Sequence, residues 1–181
     1  MNYSALKKYS IGNGEGVRTS LYVSGCNFHC NGCFNPETWD FNFGVPYTIE
    51  TEEEILNLIK SDRVAGLSLL GGDPLWQSYE DMEQLLNLVN KVKSIKKSTW
   101  IWSAFTWEEL MEDESNKKDP MLWQMRRKLV LACDVWVDGR FVLKERNLRL
   151  QWCGSNNQRV IDIKKSLESN SLILYLSDFT Q

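Results

Sequence analysis

The chain has 181 residues, 43% hydrophobic and 12% aromatic, with a formal net charge of −3. That length suits one domain with a real core, spanning residues 1–181, and the apolar fraction excludes a disordered chain. The mild negative charge argues against nucleic acid as the main partner, since phosphate binding draws on a basic surface, and no run of about 20 apolar residues exists to span a membrane.

In chain order, the first ten residues carry two lysines but no apolar block after them, unlike a secretion signal. Arg18 to Ser24 reads as a strand between Gly16 and Gly25. Thr51 to Lys60 reads as a helix, with a capping box of Thr51 and Glu54 and a stripe of Ile55, Leu58 and Ile59. Leu67 to Leu70 is a short buried-type strand stopped by Gly71 and Gly72. Ser78 to Lys93 carries the clearest helical spacing (Met82, Leu85, Leu86, Val89, Val92), with Ser78 as cap. Thr99 to Ala104 reads as a strand, and Thr106 with Glu109 opens a further helix. Glu112 to Lys118 reads as an exposed loop. Asp119 and Pro120 start a helix reaching Leu131, in which Arg126, Arg127 and Lys128 read as a solvated face before a basic patch. Strands are expected at Val135 to Val137, Val160 to Ile163 and Leu172 to Leu176.

Alternating strands and helices imply an α/β fold with a parallel sheet and crossover helices. A full eight-unit barrel takes about 250 residues, so this chain has room for about six units or fewer, an incomplete barrel or an open sheet. In either, chemistry gathers at the carboxyl ends of the strands. The cysteine loop, the Gly71–Asp73 turn, Ser103 and the Asp138–Arg140 segment all follow such ends.

Five cysteines are present, and three of them, Cys26, Cys30 and Cys33, form CxxxCxxC. With no secretion signal the setting reads as a reducing cytoplasm, where such a cluster points to metal before disulfides. Three thiolates on one loop can hold three irons of a cubane cluster and leave a fourth open to a small molecule. Zinc on three cysteines with His29, the only histidine, or with Cys133 or Cys153, is the alternative. It would make the chain a zinc-stabilised binding module. A fourth thiolate would instead suit an electron-transfer ferredoxin. Gly71-Gly72-Asp73-Pro74 lets backbone approach a ligand, and Asp73 can accept hydrogen bonds from an ammonium. Cys133 and Cys153 read as a buried thiol and a loop thiol. Trp39, just past the cysteine loop, can shield it from water.

CxxxCxxC after a strand resembles the signature of the radical S-adenosylmethionine superfamily. The stretch Gly12 to Trp39, GNGEGVRTSLYVSGCNFHCNGCFNPETW, is similar to its small glycyl-radical-enzyme activases. LLGGDPL (69–75), WVDGRF (136–141) and GSNNQRVID (154–162) narrow the resemblance to activases of anaerobic (class III) ribonucleotide reductase over roughly residues 9–163. The late segment tips the balance away from activases of the formate-lyase type.

The resemblance implies an incomplete β/α barrel of about five or six parallel strands. It implies a 4Fe–4S cluster on Cys26, Cys30 and Cys33, S-adenosylmethionine as second cofactor, the reductase as protein substrate, and a small electron donor such as flavodoxin. It assigns Gly71, Gly72, Asp73 and Pro74 to the cofactor's amino group, Ser103 to its carboxylate or ribose, and Asp138 and Arg140 to its carboxylate or the peptide. Asn156, Asn157 and Arg159 become site-lining. Where many relatives carry an aromatic residue before the third cysteine, this chain has Gly32, so the adenine contact is expected elsewhere, with Phe34 a candidate.

Overall fold

The computed structural model describes residues 1–112 and 117–176. One seven-stranded sheet runs through it in the order β3-β1-β2-β4-β5-β6-β7, with β1 Asn2–Ser10, β2 Arg18–Val23, β3 Val45–Pro46, β4 Gly66–Gly71, β5 Ser98–Trp102, β6 Val135–Asp138 and β7 Arg159–Asp162. The helices are α1 Ile49–Ile59, α2 Tyr79–Ser94, α3 Trp107–Met111, α4 Pro120–Ala132 and α5 Ile163–Ser169. The α/β class holds, but the sheet is mixed and does not close into a barrel. Only β2, β4, β5 and β6 run parallel, four strands rather than five or six. β1 and β3 add antiparallel on one edge and β7 on the other.

The two faces of the sheet divide by period-2 alternation. Leu21, Leu67, Leu69, Ile101, Trp136 and Ile161 point into the main core with the helices, all of them fully buried. Helix α2 adds Met82, Leu85, Leu86, Leu88, Val89 and Val92. At about 1.5–3 kcal/mol per buried side chain, that helix alone contributes on the order of 10 kcal/mol as an upper bound. Ser78 caps α2 by accepting from Asp81 N–H, as its position before the apolar stripe predicts. The opposite face carries Arg18, Ser68, Trp100, Trp102, Val135 and Val137. Among the described residues no helix covers it; the segments around Trp152 and Tyr175 do.

Several boundaries move for local reasons. Helix α1 starts at Ile49 with Thr48 as cap and Thr51 as its reciprocal partner, not Thr51 with Glu54. The pairing of β3 with β1, followed by Tyr47 N–H on Met1 O at 3.0 Å, holds Thr48 extended and ready to cap. β5 stops at Trp102, because Ser103 and Ala104 turn to hold a carboxylate. β7 ends at Asp162, which caps α5. Of the strand expected at Leu172 to Leu176, the structure has a single bridge from Leu174 to Ile161. In the expected loop from Glu112 to Lys118, residues 113–116 lie outside the described residues. Thr106 and Glu109 form the predicted capping box and Asp119 caps α4. Arg126 is neither solvated nor part of a basic patch: it is 4% exposed, facing the core. Among the described residues no helix is long and apolar enough to cross a membrane.

Candidate functional site

The four parallel strands end at Val23, Gly71, Trp102 and Asp138. The loops that follow them surround a cavity of about 420 Å³ on the helix-free face. Cys26, Cys30 and Cys33 share its wall with Gly71 and Gly72, and with Ser103 and Ala104. Phe34, Trp39, Trp102, Phe141 and Trp152 supply an aromatic lining.

The cysteine loop is built by backbone. Ser24 N–H donates to Asn2 O at 2.9 Å, Gly25 N–H to Thr38 O at 2.8 Å and Cys26 N–H to Trp39 O at 3.2 Å, so the loop's start lies against its own return. Two left-handed residues, His29 (φ 46°) and Gly32 (φ 76°), turn the chain between the thiols. Cys33 N–H then closes on Cys30 O at 3.1 Å. Burial pushes the Cys26 thiol up to about 12 and raises that of Cys30. Thiolates disfavoured by burial are stabilised by bound metal, because the ligand must be deprotonated and the cation offsets the cost. Three soft donors on one wall with a neighbouring free volume fit a cluster with an open position. Among the described residues no three metal-binding side chains converge as the ligands of one ion would. His29 lies against the Trp39 ring (centroids 4.8 Å apart) and is not on the cavity wall.

The glycine turn sits beside the loop. Gly72 N–H donates to Val23 O at 2.7 Å and Asp73 N–H to Gly25 O at 2.9 Å. A Cβ on Gly72 would stand 2.6 Å from Gly25 O and 2.8 Å from Thr38 O, so only glycine allows this approach. Gln77, almost fully buried, donates from Nε2 to Ser24 O at 3.0 Å and Asp73 O at 3.1 Å, binding the two segments together.

Asp73 does not face the cavity. Its carboxylate accepts from Ser103 Oγ (2.9 Å), Ala104 N–H (2.8 Å) and Leu75 N–H (2.8 Å), with 1% of the residue exposed. Burial nonetheless raises it to about 6, the hydrogen bonds opposing the shift. Pro74 is buried behind it. Ser103 lines the cavity but spends its hydroxyl proton on Asp73, so it joins β5 to the turn.

Asp138 and Arg140 do not pair with each other and do not line this cavity. Asp138 is fully buried, accepting from Trp107 N–H at 2.9 Å and from Arg159. Arg140 pairs with Glu109 at 2.8 Å. Arg159 bridges Asp138 and Glu108, and its guanidinium holds the Glu108 carboxyl down at about 2. Asn157 Nδ2 donates to Arg140 O at 2.8 Å and Asn147 Nδ2 to Asn156 Oδ1 at 2.9 Å. Within the late motif Gly154 and Gln158 reach the cavity, while Asn156, Asn157 and Arg159 do not.

Of the two further cysteines offered as an alternative fourth ligand, one is on this wall, and the residues that come with it were missed by sequence reasoning. Cys153 stands on the same cavity as the three loop cysteines, its thiol raised by burial to about 11, whereas Cys133 is buried in the core as expected. Leu148, Leu150 and Trp152 come with it on the long return from β6 to β7. Trp152 has a left-handed backbone (φ 63°), and its carbonyl accepts from Trp102 Nε1 at 2.9 Å. No sequence signal marks that conformation, since a left-handed tryptophan is visible only in the structure. Phe34 does line the cavity, beside Phe141 at 5.1 Å; a Cβ on Gly154 would stand 2.7 Å from its ring.

The family described as a 4Fe-4S single cluster domain matches residues 12–161. An anaerobic ribonucleoside-triphosphate reductase-activating protein of Vibrio cholerae is 37% identical over 87% of this chain and 96% of its own length. Its namesake in Escherichia coli K12 is 35% identical over 88% of this chain and 97% of its own. That of Enterobacteria phage T4 is 33% identical over 88% and 93%. Cysteine loop, glycine turn and all but the last residue of the late segment fall within the matched span, and the chain belongs to the family of anaerobic ribonucleoside-triphosphate reductase-activating proteins.

Proposed function

We propose that this chain is a radical S-adenosylmethionine enzyme that installs a glycyl radical on an anaerobic ribonucleoside-triphosphate reductase. The observation that carries this is one cavity shared by Cys26, Cys30, Cys33 and the Gly71–Gly72 turn, in a chain whose relatives are named as activators of that reductase. Cys26, Cys30 and Cys33 would hold three irons of a 4Fe–4S cluster, leaving the fourth open to S-adenosylmethionine. When both are bound, the reduced cluster would supply the electron for reductive cleavage of the cofactor's carbon–sulfur bond, and with it the capacity to take a hydrogen atom from a glycine Cα of the reductase. Such a Cα radical is flanked by amide nitrogen and carbonyl, with no Cβ to obstruct approach.

The chain's own residues bind, orient and exclude water. Gly71 and Gly72 bring bare backbone to the cofactor's amino-acid end. Asp73 acts through the turn, fixing Leu75, Ser103 and Ala104 in one network. Phe34, Trp39, Phe141 and Trp152 keep water from a radical that would otherwise be quenched. Residues 1–181 act as a single domain. Its four parallel strands and helix-free inner face correspond to part of a β/α barrel, left open so that a glycine loop can enter. A small reductant such as flavodoxin would deliver the electron, in a reducing cytoplasm that suits five free cysteines.

The test is anaerobic reconstitution with iron and sulfide, reduction, and assay for 5′-deoxyadenosine, with Cys30→Ala as control. Product in the wild type alone is expected. A colourless, zinc-binding protein that makes none would return the chain to the binding-module reading.

A further inference from the structure

Side chains from five parts of the chain stack between the cysteine loop and the Gly71–Pro74 turn. Phe28, inside the CxxxCxxC motif, leaves the cavity side and packs on the main core. Its ring meets Phe105 edge-on (centroids 4.9 Å, 75°) and Trp76 likewise (5.5 Å, 70°). Trp76 follows Asp73 by three residues and Phe105 follows Ser103 by two, so both rings belong to segments tied by the Asp73 carboxylate. Behind them the buried Arg126 guanidinium lies 5.0 Å from each ring, while its Nε donates to Leu75 O at 2.8 Å. In front, the Arg140 guanidinium sits 4.5 Å over Phe28 and is held there by Glu109. The layers run cation, two rings, ring, cation, from α4 through the turn and the end of β5 to the cysteine loop.

Backbone bonds tether the start of the loop at Gly25 and Cys26, while its end closes through Cys33 N–H on Cys30 O and leans on the segment after β6, with the Phe34 ring on Phe141. Between them His29 rests on Trp39, and Phe28 reaches across to Trp76, just past the turn. Resting on the functional reading above, we propose that Phe28 is a positioning residue whose ring sets the spacing between the cluster thiols and the turn that receives the cofactor's amino-acid end. Arg140 belongs to this stack and does not bind the cofactor. A misplacement of about 1 Å at a reacting centre costs up to about 100-fold, so a side chain that never touches the cofactor can control its engagement.

The test uses the full chain loaded with its cluster, comparing wild type, Phe28→Ala, Phe28→Tyr and Arg140→Gln. Iron and sulfide content, S-adenosylmethionine affinity by calorimetry, and the change in the reduced cluster's electron paramagnetic resonance on adding S-adenosylmethionine are read. Phe28→Ala is expected to keep its iron, lose about 10-fold in affinity and lose the spectral response. Phe28→Tyr restores both, and Arg140→Gln loses about 3-fold. Should Phe28→Ala not fold, Phe28→Leu, which keeps apolar volume but removes the edge contacts, carries the same comparison. Wild-type affinity and response in the alanine or leucine variant overturn the proposal alone. So does loss of iron in step with loss of response, which would make Phe28 a merely structural support. A wild type that takes up iron but neither binds S-adenosylmethionine nor changes its spectrum overturns the functional reading, and this proposal with it.

Discussion

The two faces of the sheet are made from the same strands but answer to different demands. On the helix side, Leu67, Leu69, Ile101 and Trp136 are fully buried among apolar neighbours. On the other, Arg18 is buried with its guanidinium spread over Ser68 Oγ, Ser98 and Leu67 O, and Trp100 and Trp102 lead up to a cavity. Burial lowers that guanidinium to about 10, a cost the ladder of acceptors offsets. The difference teaches where stability and function are separable: one face fills space, the other keeps a space open.

Adjacent residues of one strand put this to its hardest test. Leu69 belongs to the helix face and Leu70 lines the cavity. Leu69→Ala is expected to cost about 3–5 kcal/mol by the transfer-plus-cavity rule. Leu70→Ala, which only widens an existing space, should cost less than about 1.5 kcal/mol while weakening S-adenosylmethionine binding. Urea unfolding of both variants checks the stabilities. Equal losses would mean that the faces are not energetically distinct.

The helix face was also the more legible one. Its residues repeat at helical or strand period, so α2 with its Ser78 cap, β4, and α4 after Asp119 could be read directly. The cavity face carries mixed chemistry with no period. CxxxCxxC and GGDP were legible because each is compact in sequence. Cys153 was legible only as a loop thiol or an alternative fourth ligand, because the return from β6 to β7 brings it to the wall from more than a hundred residues away. β1 was missed for another reason: next to the edge, with only the two-residue β3 beyond it, its NYSALKKYS alternates poorly and carries lysines. Asp73 was legible as a residue but not as a role, since its partners Ser103 and Ala104 come from β5's end.

Asp73 gives the next largest effect, and its sign is unusual. Its folded value, about 6, lies above the ordinary carboxylate value of 3.8, because burial outweighs hydrogen bonds from three donors. The folded state therefore holds the proton more tightly, and the associated stability is present below pH 3.8 and lost as pH rises to 6. A shift of that size corresponds to about 3 kcal/mol. Asp73→Asn should flatten this part of the pH–stability curve, measured by denaturant unfolding from pH 4 to 7. A slope unchanged in the variant would assign it to another group.

Trp102→Phe keeps the apolar surface of the cavity face but removes the bond from Nε1 to Trp152 O. A loss of about 1 kcal/mol is expected. Faster amide exchange should follow around Trp152, with none on α2. Exchange that rises equally on both faces would show that the covering segment is not held locally.

The smallest effect comes from the rim. Glu108 is held at about 2 by the Arg159 guanidinium, yet its side chain is 61% exposed. Solvent screening limits such a pair to less than about 1 kcal/mol, whatever the size of the shift. The contribution is present above the ordinary glutamate value of 4.5 and is lost as pH falls toward 2. Glu108→Gln should lower the melting temperature slightly in dilute buffer at pH 7, and the difference should shrink in 1 M salt. Arg159 keeps its buried partner Asp138 in that variant, so β7 stays joined to β6. A loss above about 2 kcal/mol, or one indifferent to salt, would mean that Glu108 holds Arg159 over Asp138 and that the rim supports the fold rather than decorating it.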